Sequence, residues 1–155
     1  MKIREILGRD AIVPRLQGRG KKDVLGELTA ALLRQHPELD EHAVVDVLLE
    51  RERLGTTGIG EGIAIPHGKM KSLNELVLSF GRSIEGVDFQ SMDNQPAHLF
   101  FLLLAPENSA GAHLKALAKI SRMLKDKTFC QDLMSAETAE EIYQIIARED
   151  EKMGT

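Results

Sequence analysis

Apolar positions recur at the spacing of an α-helix in several separate segments of the chain. The predicted helices cover residues 23–35, residues 40–54, a segment that begins near Ala112, a brief piece around residues 129–134, and a last segment after Thr138. Asp40 is a favourable N-cap for the second helix, in whose last turn Arg51 lies. Thr138 and Glu141 form a capping box ahead of the last helix.

Three apolar stretches between these helices predict β-strands. Residues 10–16 alternate weakly and indicate a short edge strand, and residues 76–84 and 97–105 indicate longer ones. The last of the three is so uniformly apolar that we expect it to be central and covered on both faces. Because strands and helices interleave, the sequence predicts an α/β single domain with a mixed β-sheet flanked by helices. We assign residues 1–150 to this domain and expect residues 151–155 to fray.

The composition fits one globular domain and argues against nucleic acid as a partner. A chain of 155 residues should bury roughly 69% of its extended surface on folding, which is enough for one core. Lysine and arginine number 20 against 24 aspartates and glutamates, so the formal net charge is −4 and no basic surplus is left for phosphate contacts. Aromatic residues make up only 4% and tryptophan is absent, which disfavours a base-stacking surface.

The use of cysteine and the apolar runs predict a cytoplasmic protein without direct membrane insertion. Cys130 is the single cysteine, so no internal disulfide can form. We expect it to be buried in a helical segment and not to be reactive. The longest uninterrupted apolar run, residues 99–105, is far shorter than the roughly 20 residues that cross a bilayer. The first ten residues carry charges inside any export signal.

Residues 55–62, GTTGIGEG, have glycine at four of eight positions and predict a shaped loop. The loop does not match a nucleotide-binding motif. Five residues separate Gly62 from Gly68, and Met70 occupies the position where a phosphate loop needs a hydroxyl. Ile63 stands where the third glycine of a dinucleotide fingerprint belongs. No nucleotide cofactor is therefore expected.

Histidine offers the main candidate chemistry. The five histidines show no HExxH or paired-cysteine spacing, so we expect no metal site. They are His36, His42, His67, His98 and His113. The first two are expected at the solvated surface, and His98 opens an apolar strand, where a hydrogen-bonded structural role is favoured.

His67 differs from the other histidines because of its neighbours. Pro66 fixes the backbone before it, and Gly68 lacks a side chain, so a partner's surface can come close. A neutral imidazole, with an unperturbed pKa of about 6.5, is a good acceptor for a phosphoryl group. The local sequence alone supports equally well a histidine that ends a strand and hydrogen-bonds the loop.

A longer motif surrounds this histidine. The chain contains Arg51-Glu52-Arg53-Leu54 followed directly by GTTGIGEGIAIPHGK. This run resembles the active-site signature of enzyme IIA of the fructose-mannitol class in the bacterial phosphoenolpyruvate-dependent phosphotransferase system. The similarity extends over most of the chain, through DNQP, Ala105-Pro106, His113-Leu114 and DKTFCQDL. A free-standing domain with these features is most similar to the nitrogen-regulatory branch of that family.

The resemblance implies that His67 accepts a phosphoryl group from the phosphorylated histidine phosphocarrier protein, and that Arg51 and His113 complete the site. Arg51 would offer a fork-shaped charge to the phosphoryl oxygens, although taken alone it is an exposed cation at a helix end. His113 could donate a hydrogen bond beside free helix amides, although a surface histidine is the simpler interpretation. Glu61, where several family members have asparagine, is expected to point outward, because a negative charge would oppose phosphoryl binding.

The fate of the phosphoryl group stays open at this stage. A nitrogen-related regulatory output is expected, with the phosphorylation state sensed by partner proteins such as potassium transporters or sensor kinases. In transport members the group passes on to a cysteine of an enzyme IIB and finally to a sugar. A third possibility is a binding module in which phosphorylation adds nearly two negative charges that switch a partner surface, with no onward transfer.

Overall fold

A computed structural model describes residues 1–154, which form a six-stranded mixed sheet with five α-helices. The strands are β1 (Leu7–Val13), β2 (Gly58–Gly60), β3 (Ile63–Ala64), β4 (His67–Met70), β5 (Val77–Val87) and β6 (Ala97–Pro106). The helices are α1 (Lys21–Leu33), α2 (Glu41–Arg53), α3 (Ala110–Met123), α4 (Lys127–Ser135) and α5 (Ala139–Met153). A short 3₁₀ turn, Ile3–Glu5, precedes β1. The predicted α/β single domain with a mixed sheet is confirmed.

Strand β6 is the centre of the sheet. The strand order is β1-β5-β6-β3-β2, and β4 also pairs with β6. β6 runs antiparallel to β5 and parallel to β3 and β4, while β1 lies at an edge, parallel to β5. The central and edge positions are those that the hydrophobic pattern predicted.

Alternate side chains of β6 enter two different cores, because successive residues of a strand point to opposite faces. Phe101 and Leu103 pack in the core that α3, α4 and α5 cover. Phe100, Leu102 and Leu104 pack in the core under α1 and α2. Every one of these side chains is fully buried, which explains the uniformly apolar sequence of the strand.

The predicted helix caps are confirmed. The Asp40 carboxylate accepts hydrogen bonds from the backbone N–H groups of His42 and Ala43. Helix α2 begins at Glu41, the residue after Asp40. Thr138 accepts from the backbone N–H of Glu141 in the same way. Each cap satisfies amides that have no partner within the helix.

Two segments differ from the predictions. Residues 55–62 include β2, which pairs antiparallel with β3, because Gly60 and Gly62 adopt positive φ angles of 99° and 80° and turn the chain. Of residues 151–155, which were expected to fray, Thr155 lies outside the described part of the chain, and α5 continues to Met153. It is held there by ion pairs from Glu151 to two basic residues near the N-terminus. In residues 1–154, no helix is long and apolar enough to span a bilayer.

Candidate active site

Three elements of the fold bring the predicted site residues together. Arg51 lies in the last turn of α2, His67 is the first residue of β4, and His113 lies in the first turn of α3. All three line one open depression. The imidazole rings of His67 and His113 are 5.5 Å apart between centroids and nearly perpendicular, at 73°. The sequence motif thus marks a single cluster in space, which we call the histidine site.

The His67 ring is oriented by the backbone just before it. Its Nδ1 lies 2.8 Å from the carbonyl oxygen of Ile65. Because a carbonyl oxygen can only accept, Nδ1 carries the hydrogen in the neutral ring, and Nε2 keeps its lone pair. The carbonyl of Pro66 accepts from the backbone N–H of Leu103 at 2.9 Å, which fixes this turn to the central strand. Nε2 is therefore the nitrogen of His67 whose lone pair is free.

Gly68 is needed for a reason other than the one expected. A Cβ atom at this position would lie 2.7 Å from Cγ1 of Val47, a side chain of α2. The missing side chain therefore allows α2 to pack closely against β4, inside the domain. This close packing also sets the distance between the end of α2, with Arg51, and His67.

His113 is buried with an unsatisfied nitrogen. Only 6% of the residue is exposed, and within residues 1–154 its Nε2 has no hydrogen-bond partner. A buried polar group without a partner costs about 1–3 kcal/mol. His113 lies in the first turn of α3, where free backbone amides and the helix dipole favour an anion. The position suits a group that becomes hydrogen-bonded when a negatively charged ligand arrives.

Both imidazoles of the site favour their neutral forms. Burial lowers the pKa of His67, and the nearby charge of Arg51 lowers it further, against the opposing effect of the hydrogen bond to Ile65. Burial also lowers the pKa of His113, with smaller contributions from His67 and Lys69. A neutral ring is the form that can act as a nucleophile.

Arg51 is held near the site by one of its N–H groups, and its other N–H groups have no partner within residues 1–154. Its Nη1 donates to the carbonyl oxygen of Gly55 at 2.8 Å, so the side chain is tied to the start of the glycine-rich loop. A guanidinium has five N–H donors, and the remaining ones are available to an anion. Lys69, two residues after His67 on β4, also lines the depression. We did not single it out from the sequence, although residues two apart on a strand share a face.

The other histidines lie outside this site. The side chain of His42 is highly exposed, and that of His36 lies near Glu38. Nδ1 of His98 is 2.9 Å from the carbonyl oxygen of Ser83, so its expected structural hydrogen bond is present.

Glu61 and Cys130 belong to a second, separate depression. Glu61 is exposed and does not line the histidine site, in agreement with the expectation that it points away. Cys130 is half-buried, and its thiol donates to the carbonyl of Leu124. Burial raises the pKa of this thiol, so it stays protonated and unreactive. Among residues 1–154, no three histidine, cysteine or acidic side chains are placed to hold a metal ion.

Comparison with known proteins identifies the class of the chain. Residues 5–149 match the family described as "Phosphoenolpyruvate-dependent sugar phosphotransferase system, EIIA 2". The chain belongs to this family, whose members are phosphotransferase components. The resemblance noted in the sequence is thereby confirmed.

Within the family, the chain is similar to nitrogen regulatory proteins. It is 45% identical to the nitrogen regulatory protein of Bradyrhizobium diazoefficiens over 147 residues, 95% of each chain. The crystal structure of nitrogen regulatory protein IIA-Ntr from Neisseria meningitidis superposes with a TM-score of 0.85 at 36% identity, over 92% of this chain and 97% of that one. These relatives support a phosphoryl-transfer or nitrogen-regulatory role in the phosphotransferase system.

Transport proteins are also among the relatives. The chain is 39% identical over 150 residues to the fructose-specific EIIABC component of Bacillus subtilis, a match that covers 97% of this chain but 24% of that protein. In a complex of enzyme IIA and phosphorylated enzyme IIB for mannitol from Escherichia coli, one chain has the same fold as this protein. The TM-score is 0.74 at 23% identity, over 91% of this chain and 96% of the chain in the complex. The likeness to this complex shows a shared fold.

Proposed function

We propose that Nε2 of His67 accepts a phosphoryl group from the phosphorylated histidine phosphocarrier protein, and that the resulting phosphorylation state has a nitrogen-related regulatory output. The observation that carries the proposal is the hydrogen bond from Nδ1 of His67 to the carbonyl of Ile65, which leaves Nε2 as the free nucleophile. The unpaired Nε2 of buried His113 beside it supports the same function.

The transfer forms one P–N bond and breaks another. The lone pair of His67 Nε2 attacks the phosphorus of the donor's phosphohistidine, and the bond between that phosphorus and the donor imidazole breaks. The bonding electron pair stays on the donor nitrogen. The donor's other ring nitrogen carries a proton, so the donor is left as a neutral imidazole, and the positive charge passes to the ring of His67. Nδ1 of His67 keeps its proton throughout and donates it in a hydrogen bond to the carbonyl oxygen of Ile65. The phosphorylated ring is therefore held in the same orientation. Positioning and charge neutralisation supply most of the rate in such a transfer.

Arg51 and His113 have different tasks in this proposal. The guanidinium of Arg51 neutralises the phosphoryl oxygens through charge-assisted hydrogen bonds. His113, with its hydrogen on Nε2, donates to a phosphoryl oxygen beside the N-terminal amides of α3. It holds the group and is not itself phosphorylated.

An apolar rim around the site supports a protein as the donor. Leu54 is 83% exposed and Leu114 is 67% exposed, and both line the same depression as His67. A partner that brings its own phosphohistidine to His67 must cover these side chains, and burial of apolar surface then stabilises the complex.

We assign this exchange to the cytoplasm, as the single cysteine, Cys130, suggests.

The second candidate function is onward transfer to a cysteine of an enzyme IIB. The fructose-specific relative and the shared fold of the mannitol IIA–IIB complex favour it. The regulatory output is preferred because the chain is 45% identical to the nitrogen regulatory relative and 39% identical to the fructose-specific one. A purified enzyme IIB discriminates the two, since rapid loss of label to its cysteine indicates transport.

The proposal is tested by labelling with phosphoenolpyruvate, enzyme I and the phosphocarrier protein, followed by mass spectrometry under alkaline conditions. We expect one phosphoryl group on His67, lost in mild acid as for a phosphoramidate. His67→Ala should abolish labelling, and His42→Ala, which changes an exposed histidine away from the site, should label like the wild type. Label on His113 or His98 with His67 unmodified would overturn the proposal.

A further inference from the structure

A buried carboxylate beside the histidine site takes no part in the transfer described above. Glu52 follows Arg51 in the last turn of α2 and is buried. Its Oε1 accepts from Nζ of Lys21 at 2.9 Å and from the backbone N–H of Thr57 at 3.1 Å. Its Oε2 accepts from the hydroxyl of Thr57. Both oxygens are thus used, and Thr57 is held through two of its groups.

Thr57 connects this carboxylate to the turn before His67. The carbonyl oxygen of Thr57 accepts from the backbone N–H of Ile65 at 3.0 Å. The carbonyl oxygen of Ile65 is in turn the partner of Nδ1 of His67, at 2.8 Å. A continuous path of hydrogen bonds therefore runs from Glu52 through Thr57 and Ile65 to the imidazole.

We propose that Glu52 is a positioning residue for His67: by fixing Thr57 it fixes the Ile65 carbonyl, and so holds the imidazole with its hydrogen on Nδ1 and its lone pair on Nε2. Hydrogen bonds to an ionised carboxylate are stronger than neutral ones, which suits an anchor for a glycine-rich loop. Residues that orient a reactive group through such a path commonly decide its tautomer and its direction.

The negative charge of Glu52 is balanced within the fold. Lys21 forms an ion pair with the carboxylate and also lies 4.8 Å from the centre of the Phe89 ring, so it is well placed to balance the negative charge. Thr56 fixes the same segment independently, because its hydroxyl donates to the carbonyl of Phe89. A loss of the Glu52 contacts should therefore loosen the loop without unfolding it.

The chain offers a matched control for Glu52. Glu27, on α1, also accepts backbone N–H groups of a loop, those of Gln17 and Gly18, but its contacts do not reach the histidine site. Glu27→Gln and Glu52→Gln make the same chemical change to a loop-anchoring carboxylate. Only Glu52→Gln should alter His67.

The experiment measures the imidazole ¹⁵N chemical shifts of the unphosphorylated protein, where the Nδ1–H and Nε2–H tautomers are distinct. Wild type and Glu27→Gln should show His67 with its hydrogen on Nδ1. In Glu52→Gln the ratio of the two tautomers should shift towards Nε2–H by about tenfold, the change expected for loss of one charge-assisted hydrogen bond. The rate of phosphoryl acceptance should fall by at most about the same factor, in proportion to the fraction of His67 rings that keep the hydrogen on Nδ1, while KM for the phosphocarrier protein stays unchanged.

A second pair of variants keeps the test decisive if Glu52→Gln does not fold. Thr57→Val removes the hydroxyl donor and should shift the tautomer in the same direction, and Thr57→Ser should restore the wild-type spectrum. Folded Glu52→Gln or Thr57→Val protein with a wild-type tautomer and a wild-type rate would overturn the inference.

The kinetic part of this inference rests on the proposed function, but the spectroscopic part does not. If the tautomer shifts while wild-type His67 is never phosphorylated, the positioning role stands and the proposed function fails. If His67 is phosphorylated but its tautomer does not respond to either variant, the positioning role fails and the proposed function stands.

Discussion

Helix α3 carries two almost fully buried polar side chains whose surroundings differ completely. Lys119 is 4% exposed, and its Nζ lies 2.6 Å from the carbonyl oxygen of Met1, 3.0 Å from that of Gly154 and 2.5 Å from Oδ1 of Asp150. His113 is 6% exposed, and its Nε2 has no partner anywhere in the described part of the chain. One helix therefore joins a paired cluster, formed by Lys119 and the oxygen atoms around it, to a histidine whose Nε2 has no hydrogen-bond partner in residues 1–154.

The same contrast separates the two arginines that matter most to the fold and to the site. Arg82 is buried and donates to backbone carbonyls on two sides, those of Pro14 and of Leu133 and Ala136 at the end of α4. Arg51 is half-exposed and, within residues 1–154, donates only to Gly55. The donors of Arg82 are thus used inside the fold, whereas Arg51 lines the open depression and has donors that can bind an anion there.

The largest effect should come from breaking the paired cluster. Lys119→Met leaves Asp150 buried and uncompensated, which should lower the free energy of unfolding by about 3–5 kcal/mol. Denaturant-induced unfolding measures this loss. Lys119→Met combined with Asp150→Asn should recover most of the stability, because the amide still accepts from the backbone N–H of Arg4. Equal stability of Lys119→Met and wild type would show that the pair is not structural.

Arg51→Lys should leave stability unchanged and slow phosphoryl transfer to His67. The lost forked contact is worth about 1.5–3 kcal/mol, or roughly tenfold to a hundredfold in rate if it acts fully in the transition state. Rapid-quench labelling measures the rate. Arg53→Lys is the matched control, because Arg53 is an exposed arginine of the same helix turn. Wild-type kinetics in Arg51→Lys would remove Arg51 from the site.

His113→Ala should have a smaller effect on the rate and leave His67 modifiable. One hydrogen bond from a neutral ring to the charged phosphoryl group is worth about 1.5 kcal/mol, the lower end of the range for charged groups, which corresponds to about tenfold in transfer to or from His67. Labelling and back-transfer to the phosphocarrier protein measure both directions, with Lys115→Ala as an exposed control on the same helix. Thermal unfolding measured alongside separates this effect from a loosened fold. Normal folding with wild-type rates in both directions would make His113 structural.

The smallest expected effect is the pH dependence of the free energy of unfolding. The pKa values of His67 and His113 are lowered in the folded protein, so the unfolded chain binds more protons below the ordinary histidine value of 6.5. Stability should therefore rise with pH between the folded and unfolded pKa values and fall in acid. A variant with glutamine at both positions should lose this slope.

The pH dependence of the rate of phosphoryl acceptance follows from the same lowered pKa values. The half-maximal rate should lie below pH 6.5, because the lowered pKa of His67 keeps the Nε2 lone pair unprotonated to lower pH than in a free imidazole. Rate measurements between pH 5 and 8 check this expectation. A half-maximal rate at pH 6.5 or above would contradict the neutral-ring account.

Local signals in the sequence predict the elements whose cause is local. The cap at Asp40 and the apolar run of β6 depend on neighbouring residues, and both are where the pattern places them. β4 was missed because Gly68 and Lys69 have little strand preference, and the strand exists through its pairing with β6.

The residues of the site divide in the same way, between those that a local motif contains and those that depend on the packing of distant segments. A motif is enough to select the histidine and arginine that it contains. It does not show that Gly68 admits Val47, or that Lys21, from a different helix, neutralises Glu52 beside the loop. Those contacts exist only once distant segments have packed together.

The most direct test of the account is to identify the nitrogen that carries phosphorus in the phosphorylated protein. Imidazole ¹⁵N labelling with ³¹P-coupled NMR distinguishes the two nitrogens of each histidine. The account predicts phosphorus on Nε2 of His67, with Nδ1 still protonated and hydrogen-bonded to the carbonyl of Ile65. Phosphorus on Nδ1 of His67, or on any other residue, would contradict it.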